Sequence, residues 1–422
     1  MLFRSEECLF TTHTPVAAGH DRFTSDLVHY AGNKFLLQLK LSHEELMGLG
    51  RIDPADAQEP FCMTVLALKL SRAANAVSEL HGEVSREMWK PLYATRKGSA
   101  RSASAAAVPI GHITNGVHVL GWMKGTVRRY WRNRLGPGWD KDVNQAEFWA
   151  QLADPAFISD EELWSLRYLL RRELLEFTRR RLLLQGHRVT QKDFIAFDHL
   201  LNPDALTIGF ARRFATYKRA PLIFQHFEQM VKLAHDRQRP IQFVYAGKAH
   251  PRDDEGKRFI QHIIHLSKYS ELKGHLVFIE NYDIHVARQM VSGCDVWLNN
   301  PRRPLEASGT SGMKALLHGC LNLSILDGWW REAYDGRNGF AIGGDDHPDS
   351  VEDQDRRDSE NLYRVLNEGV CPCFYNRDAQ GCHGEWLGKV RHAMAGRVPR
   401  FSTWRMLQQY TQEYYLPRKP TE

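Results

Sequence analysis

The segment "EASGTSGMK" at residues 306–314 combines a carboxylate, glycines, hydroxyl side chains and a lysine, and it leads into the apolar stretch "ALLHG". This pattern predicts a helix whose start is formed by residues 308–312. Glycine, serine and threonine at a helix start let backbone N–H groups approach a phosphate closely. Lys314, one turn into the helix, could neutralise such a phosphate or bind the aldehyde of pyridoxal phosphate covalently.

The segment alone leaves the role of Lys314 open. It does not match the P-loop of nucleotide-binding proteins, because Ala315 follows the lysine where that motif requires serine or threonine. A solvent-exposed lysine without a ligand is an equally good interpretation of these residues. Lys248 is a second candidate for cofactor attachment, but it directly follows a predicted strand and lacks the phosphate-binding helix start.

The elements that must position these residues begin near residue 205. Five short apolar runs alternate with helical patterns, namely "ALTIGFA", "PIQFVYAG", "HLVFIEN", "CDVWLNN" and "CLNLSILDG". Such alternation predicts an α/β fold with a parallel sheet and helices on both faces. Ligands of open parallel sheets bind at the carboxyl ends of the strands.

Charged, amide and aromatic side chains follow each of these five strands. In chain order they are Arg212, Arg213, Tyr217 and Lys218, then Lys248 and His250, then Asn281 and Tyr282, then Asn299, Asn300 and Glu306, and finally Asp327, Trp329 and Trp330. Any one of them is typical of a solvated loop, whereas five consecutive strand ends indicate one shared site. We expect the two tryptophans to have a structural role at the edge of that site.

The N-terminal part of the chain shows a different pattern. The mixed spacing of apolar residues over 60–92 predicts a helix, and the small, polar stretch 97–109 predicts a loop or boundary. The stretch "ECLFTTHTPVAAGH" predicts a strand that ends in a polar, glycine-marked loop within the first 20 residues. Because a domain rarely opens in the middle of such a site, we expect the chain to lack its beginning.

The composition fits a globular protein with a small anionic ligand. The chain has 422 residues, 43% of them hydrophobic and 25% charged, so two domains are expected. Its net charge of +6 suits an anionic small molecule and does not require nucleic acid as a partner. No apolar run reaches membrane-spanning length and no secretory signal precedes the seven cysteines. We therefore expect a cytoplasmic protein with reduced thiols.

The cysteines do not predict a metal site. Cys371, Cys373, Cys382 and His383 follow the spacing C-x-C-x8-C-H, which matches no strong zinc pattern. We interpret them as scattered small apolar residues and expect no bound metal.

Taken together, the motifs resemble the α-glucan phosphorylases, the family of glycogen, starch and maltodextrin phosphorylases, and in particular its shorter bacterial and archaeal branch. The resemblance covers nearly the whole chain in the family's order. It rests on "FTTHTPVAAGHDRF", "HITNGVHVLGW", "GFARRFATYKRAPLIF", "FVYAGKAHP", "ENYD", "EASGTSGMK", "LDGWWREAYDGRNGFAIG" and "RFSTWRMLQQY".

This resemblance implies a two-domain, Rossmann-like glycosyltransferase fold of the GT-B type. The implied parts are a truncated first domain at 1–112, a complete pyridoxal-phosphate-binding domain at 113–395 and a C-terminal helix at 396–422 that returns to the first domain. The implied reaction is phosphorolysis of α-1,4-glucan by inorganic phosphate to glucose 1-phosphate with retention of configuration. The 5′-phosphate of pyridoxal 5'-phosphate would exchange a proton with the substrate phosphate.

The resemblance also assigns roles to individual residues. For the cofactor, these are Lys314 for covalent attachment, Thr310 and Ser311 for its phosphate, Arg212 near that phosphate, and Tyr282 and Trp122 along the pyridine ring. For the substrates, they are Arg213 and Lys218 for phosphate, Glu306, Ser308 and Gly309 for glucosyl hydroxyls, and Asn115 and His13 around the 6-hydroxyl and the reacting centre. The implied catalytic residues are His13, Arg213, Lys218 and Glu306.

The sequence departs from the family in its first domain. This chain begins close to "TTHTP", late in that domain, and the glycine-rich loop that covers the phosphates in the family is absent. We therefore expect a fragment whose activity needs a separate or missing N-terminal half. Two alternatives stay open, a glycogen-synthase-like transferase that uses a sugar nucleotide and a catalytically inactive glucan-binding remnant. The transferase would not need Lys314.

Overall fold

The computed structural model describes residues 7–94, 105–185, 200–344 and 348–416. The strands, numbered in chain order, are β1 Leu9–Thr11, β2 Arg22–Phe23, β3 Phe61–Cys62, β4 Ala73–Ala76, β5 Ile110–His112, β6 Leu206–Phe214, β7 Ile241–Ala249, β8 Leu276–Ile279, β9 Val296–Asn299, β10 Leu321–Ile325 and β11 Gly339–Ile342. The α-helices are Ser25–Leu39, His43–Leu49, Met63–Leu70, Glu79–Ala94, Val119–Trp122, Gly125–Leu135, Ala146–Ala150, Asp160–Gln185, Phe227–Ala234, Asp254–Leu266, Ile284–Gly293, Thr310–Leu316, Trp329–Ala333, Val351–Val365, Cys371–Tyr375, Gly384–Arg397 and Thr403–Tyr410.

The larger sheet confirms the predicted α/β fold with parallel strands. Its six strands lie in the order β11-β10-β9-β6-β7-β8, and every neighbouring pair is parallel. The chain builds β6, β7 and β8 in one direction and then places β9 on the other side of β6. The strand order therefore reverses between β6 and β9, the topological switch point at which open α/β sheets bind their ligands.

A sixth strand completes this sheet, which the sequence analysis did not identify. Strand β11 has only four residues and pairs with β10 from Asn322 opposite Gly339 to Ile325 opposite Ile342. A run this short carries almost no periodic signal. Strand β11 is stabilised by its pairing with β10, which is buried along its whole length.

The predicted helix over 60–92 is wrong in its middle. The structure has helices at Met63–Leu70 and Glu79–Ala94, but Ala73–Ala76 forms strand β4. This strand lies between β1 and β5 in a second, three-stranded parallel sheet. Its alanines favour helix as isolated residues, and pairing on both edges with distant strands overrides that preference.

The C-terminal helix Thr403–Tyr410 lies against the small sheet. The side-chain amide of Asn75 in β4 donates to the Tyr410 hydroxyl at 2.9 Å, and Val117 forms a parallel β-bridge with Ser402. These contacts join residues 402–410 to the small sheet and to the segment that follows β5. The domain boundaries given above stay a prediction.

Every helix within residues 7–416, outside the gaps given above, is too short or too polar to cross a bilayer. In the same part of the chain, no three histidine, cysteine, aspartate or glutamate side chains are arranged so that they could hold a metal ion.

A buried ion pair fastens the long helix Asp160–Gln185 to the start of β9. Arg171 Nη1 donates to Asp295 Oδ1 at 2.7 Å, and Arg167 Nη2 lies 3.4 Å from the same oxygen. All three side chains are only 1% exposed. Asp295 also accepts the backbone N–H of Thr207 in β6 at 3.0 Å. The carboxylate therefore holds both the helix and the central strand.

Replacement of Asp295 by asparagine should lower the free energy of unfolding by about 3–5 kcal/mol, because two buried guanidinium groups lose their counter-charge. Urea unfolding measures the effect. Asp335→Asn is the matched control, since Asp335 also pairs with a cation, Arg397, but is 26% exposed. That control should lose about 1 kcal/mol or less. Equal losses in the two variants would contradict this account.

Candidate active site

Arg212 and Glu306 meet at the switch point of the larger sheet. Arg212 lies near the carboxyl end of β6, where its Nη2 donates to the Asn299 side-chain oxygen at the end of β9. Its Nη1 donates to Glu306 Oε2 at 3.2 Å. The ends of two adjacent strands and the loop after β9 thus converge, as the positions of these residues behind the strands predicted.

Lys218 donates to the same Glu306 oxygen that accepts from Arg212. It ends the short 3₁₀ turn Thr216–Lys218, which follows β6 and turns the ammonium back over the sheet edge. Burial lowers the pKa of Lys218 to about 8, although Glu306 acts in the opposite direction. Burial would raise the pKa of Glu306, but the charges of Lys218 and Arg212 outweigh it and hold that pKa below its ordinary value.

Arg213 and Tyr282 lie at the border of this cluster. Burial raises the pKa of Tyr217 to about 12, and the neighbouring Arg213 opposes that shift, which places its guanidinium close to the phenol. The Arg213 side chain is exposed and therefore accessible to a ligand. Burial raises the pKa of Tyr282, with Arg212 opposing the shift, so these two side chains are also neighbours. Among the described residues, Arg212 and Lys218 therefore pair with Glu306, and Arg213 lies next to this cluster beside Tyr217.

Lys314 stands on the helix Thr310–Leu316, as the sequence predicted, with its ammonium over the ring of Trp122 at 4.2 Å from the ring centre. The side chain is half-buried, and burial lowers the pKa of its ammonium. No carboxylate of the described ranges forms an ion pair with it. A lysine that is partly desolvated and lacks a counter-charge releases its proton more readily and becomes a better nucleophile.

A histidine behind Lys314 fixes the end of its helix. His318 Nδ1 lies 3.1 Å from the Lys314 carbonyl oxygen, and His318 Nε2 accepts the backbone N–H of Lys124 at 3.1 Å. Burial lowers the pKa of His318 to about 3, so the ring is neutral. The helix is thus tied to the chain segment that also carries Trp122.

The residues of this rim fit a phosphorylated, covalently attached cofactor. Gly309 precedes the helix with φ of +83°, a left-handed conformation that favours glycine. Arg212 Nε and Ser308 Oγ are buried and have no hydrogen-bond partner among the described residues. Because an unpaired buried polar group is costly, such groups are suited to a ligand. Ser311 Oγ accepts from Trp297 Nε1 at 3.0 Å, which leaves its own hydroxyl proton free to donate.

The predicted residues His13 and Asn115 lie on the side of the small sheet. His13 is exposed two residues after β1, and Asn115 follows β5, with its backbone N–H donating to Val77 O at 3.0 Å. The structure does not bring them into hydrogen-bond contact with the Arg212–Glu306 cluster.

Lys248, the rival cofactor lysine, is exposed in the second-last position of β7. Trp329 and Trp330 are buried in the core, in agreement with a structural role.

One contact between the two sheets was missed by the sequence analysis. The hydroxyl of Ser78, two residues after β4, donates to the Ala307 carbonyl oxygen at 2.7 Å, and Ser78 is fully buried. It therefore fixes the "EASGT" loop from the opposite side. Recognition of β4 as a strand would have placed Ser78 after its carboxyl end, where site residues are expected.

Sequence comparisons with known proteins identify the family of this chain. A sequence profile described as carbohydrate phosphorylase matches residues 27–335. The maltodextrin phosphorylase of Thermococcus litoralis is 39% identical over 407 residues, which cover 96% of this chain and 46% of that protein. The glycogen phosphorylase of Aquifex aeolicus is 39% identical over 415 residues, covering 96% of this chain and 57% of that protein.

A third relative extends the same result to another bacterium. The glycogen phosphorylase of Mycobacterium tuberculosis is 40% identical over 425 residues, which cover 97% of this chain and 46% of that protein. This chain spans about half the length of the curated relatives it matches. The profile match over most of the chain and the similarity to these phosphorylases show that it belongs to the carbohydrate phosphorylase family.

Proposed function

We propose that this chain is the cofactor-binding part of an α-1,4-glucan phosphorylase, which transfers a terminal glucosyl unit of glycogen or maltodextrin to inorganic phosphate and forms glucose 1-phosphate. The observation that carries the proposal is the half-buried Lys314, unpaired within the described ranges, at the same sheet edge as the cations Arg212 and Lys218. The printed names of the relatives support the class of substrate.

Pyridoxal 5'-phosphate would be held by residues on both sides of Lys314. The Lys314 amine would attach to the cofactor aldehyde and release water, while Thr310 and Ser311 would donate hydroxyl and backbone N–H groups to its phosphate. Trp122 and Tyr282 would line its ring. When bound, the cofactor supplies a phosphate group that can exchange a proton with the substrate phosphate.

Arg213 and Lys218 would hold that substrate phosphate. Two phosphate groups at close range repel each other strongly, so cations are needed between them. The Arg213 guanidinium can bind phosphate through two parallel hydrogen bonds. Lys218 is bound to Glu306 in this structure, so it must share or exchange that partner. The exchange would release the Glu306 carboxylate to bind a glucosyl hydroxyl.

The glucosyl unit would lie between the two sheets. Glu306, Ser308 and Gly309 would bind its hydroxyls from the larger sheet, and Ser308 brings a buried hydroxyl that has no partner in the described part of the chain. His13 and Asn115 would approach from the small sheet, near the reacting centre and the 6-hydroxyl. Orientation of the sugar by these groups would favour an oxocarbenium-like transition state and retention of configuration.

The proposal includes a GT-B cleft, in which a truncated first domain at 1–112 would lie opposite a complete second domain at 113–395. The alignment with this chain covers 46% of the relatives from Thermococcus litoralis and Mycobacterium tuberculosis, so a little more than half of each relative lies outside it. Full activity would require the polypeptide segment that corresponds to the rest of these relatives, supplied as a separate chain or in the same one.

A phosphate-dependent assay tests the proposed function. The chain, saturated with pyridoxal 5'-phosphate, is incubated with maltodextrin and phosphate, alone and together with the remaining N-terminal segment of the Thermococcus litoralis relative. Glucose 1-phosphate should form in the combined sample and disappear when phosphate is omitted. Binding of a sugar nucleotide without formation of glucose 1-phosphate would overturn the proposal.

A further inference from the structure

A second buried carboxylate lies directly behind Glu306. Asp327 follows β10 by two residues and is 3% exposed. Its Oδ2 accepts the backbone N–H of Glu306 at 2.9 Å, and its Oδ1 accepts the backbone N–H of Gly328 at 2.8 Å. None of the roles assigned above uses this residue.

The turn that carries Asp327 is pressed against the loop of Glu306. The backbone N–H of Trp329 donates to Ser308 O at 2.8 Å. Gly328 has φ of +53°, and a Cβ atom there would lie 2.6 Å from Ser308 O and 2.9 Å from Glu306 O. Only glycine permits so close an approach. The main chain of Glu306 is therefore clamped between the Asp327 carboxylate and this turn.

Two N–H groups do not by themselves require a charged acceptor. A neutral amide could accept one of these N–H groups, and its burial would cost less free energy than the burial of a carboxylate far from water. Lys218 and Glu306 are the charged groups that act on Asp327, one from the turn after β6 and the other from the loop after β9. The carboxylate thus belongs to the charge balance of the cation cluster.

We infer that Asp327 is a positioning residue that holds the backbone of Glu306 and takes up a proton when an anion binds to the Arg212–Lys218 cluster. The inference rests on the proposed role of Lys218 in phosphate binding. A dianion placed near a second, ionised carboxylate would be repelled, and protonation of that carboxylate removes the repulsion.

Asp327 titrates within the range of pH 6 to 9 over which anion binding can be measured. Burial and the charge of Glu306 raise its pKa to about 7, while the N–H groups of Glu306 and Gly328 oppose the shift. Below this pH the group is neutral and anion binding is favoured. Above it the group is ionised, and an incoming anion raises its pKa further and draws in a proton.

Proton uptake on sulfate binding tests the inference, because sulfate keeps both charges from pH 6 to 9 whereas phosphate titrates. Calorimetry of the chain saturated with pyridoxal 5'-phosphate, in buffers of different ionisation enthalpy, gives the number of protons bound. At the pH of largest difference, wild type should take up about half a proton more than Asp327→Asn. Uptake by Lys218, whose pKa is about 8, should remain in both proteins.

Asp253→Asn is the matched control, because Asp253 also accepts a backbone N–H, that of Gly256 at 2.9 Å, but caps a helix on another part of the sheet. It should behave as wild type. Coincident uptake curves for wild type and Asp327→Asn would overturn the inference. A sulfate affinity of the wild-type protein that stays constant from pH 6 to 9 would also overturn the inference. This measurement needs no variant. Proton uptake as expected, with no glucose 1-phosphate formed when the chain is combined with the N-terminal segment of the relative, would support the inference and count against the proposed function alone.

Discussion

Replacement of Lys314 by alanine is expected to give a folded protein that retains no pyridoxal 5'-phosphate and forms no glucose 1-phosphate. The amine is the proposed attachment point, and the buried lysine of the site, Lys218, is paired with Glu306. Stability should change little, because the ammonium has no ion pair within the described ranges and its main contact is the ring of Trp122. Absorbance of the bound cofactor after gel filtration measures cofactor retention, and thermal unfolding measures stability. Glucose 1-phosphate is assayed after the variant is combined with the N-terminal segment of the relative.

Lys248→Ala is the matched control for this prediction. It removes a lysine from the same edge of the sheet, but one that is exposed at the end of β7. This variant should retain the cofactor as wild type does. Loss of the cofactor from Lys248→Ala, or its full retention by Lys314→Ala, would show that the assignment of the lysine is wrong.

Glu306→Gln is expected to lower kcat/KM for phosphorolysis by about 10²–10³-fold, the effect of removing one charged contact made at the reacting centre. Glu306 is the shared acceptor of Arg212 and Lys218. Because its charge raises the pKa of Lys218, the variant should also lose the Lys218 proton at lower pH than wild type. As the pH rises, phosphate affinity should therefore begin to fall before pH 8 is reached. Steady-state kinetics of the active, completed enzyme across pH 6–9 measure both effects.

Glu332→Gln provides the control for Glu306→Gln. Glu332 is also a largely buried carboxylate, but it accepts from the Thr114 hydroxyl at 2.8 Å and lies 3.7 Å from Arg400, away from the cation cluster. Its replacement should affect stability and leave the pH dependence of phosphate affinity unchanged. A Glu306→Gln enzyme within threefold of wild-type kcat/KM would exclude the proposed role of this carboxylate.

The larger sheet was predictable because each of the five predicted strands has a local sequence pattern typical of a strand. Strands β6 and β7 are long runs with branched and aromatic residues, each followed by a helical pattern. Strand β4 was missed for the opposite reason, since its sequence "AANA" favours helix and its partner β1 lies more than 60 residues away. Local pattern cannot reveal a strand that forms only through distant pairing.

The site shows the same division between local and distant information. The convergence of residues behind successive strands followed from the topology of parallel sheets, and the family resemblance supplied their expected roles. The contact between Arg212 and Glu306 joins residues 94 positions apart, and the clamp of Asp327 on Glu306 spans 21 positions. Neither has a sequence signature, because both depend on how the ends of β6, β9 and β10 and the loops after β9 and β10 pack together.

The central claim is that Lys314 carries pyridoxal 5'-phosphate. Its most direct test is reduction of the cofactor-saturated protein with borohydride, proteolysis, and peptide mapping by mass spectrometry. The account predicts a pyridoxyl group on the peptide that contains Lys314, in near one-to-one amount, and none on the peptide that contains Lys248. An unmodified Lys314 peptide from folded, saturated protein would contradict it.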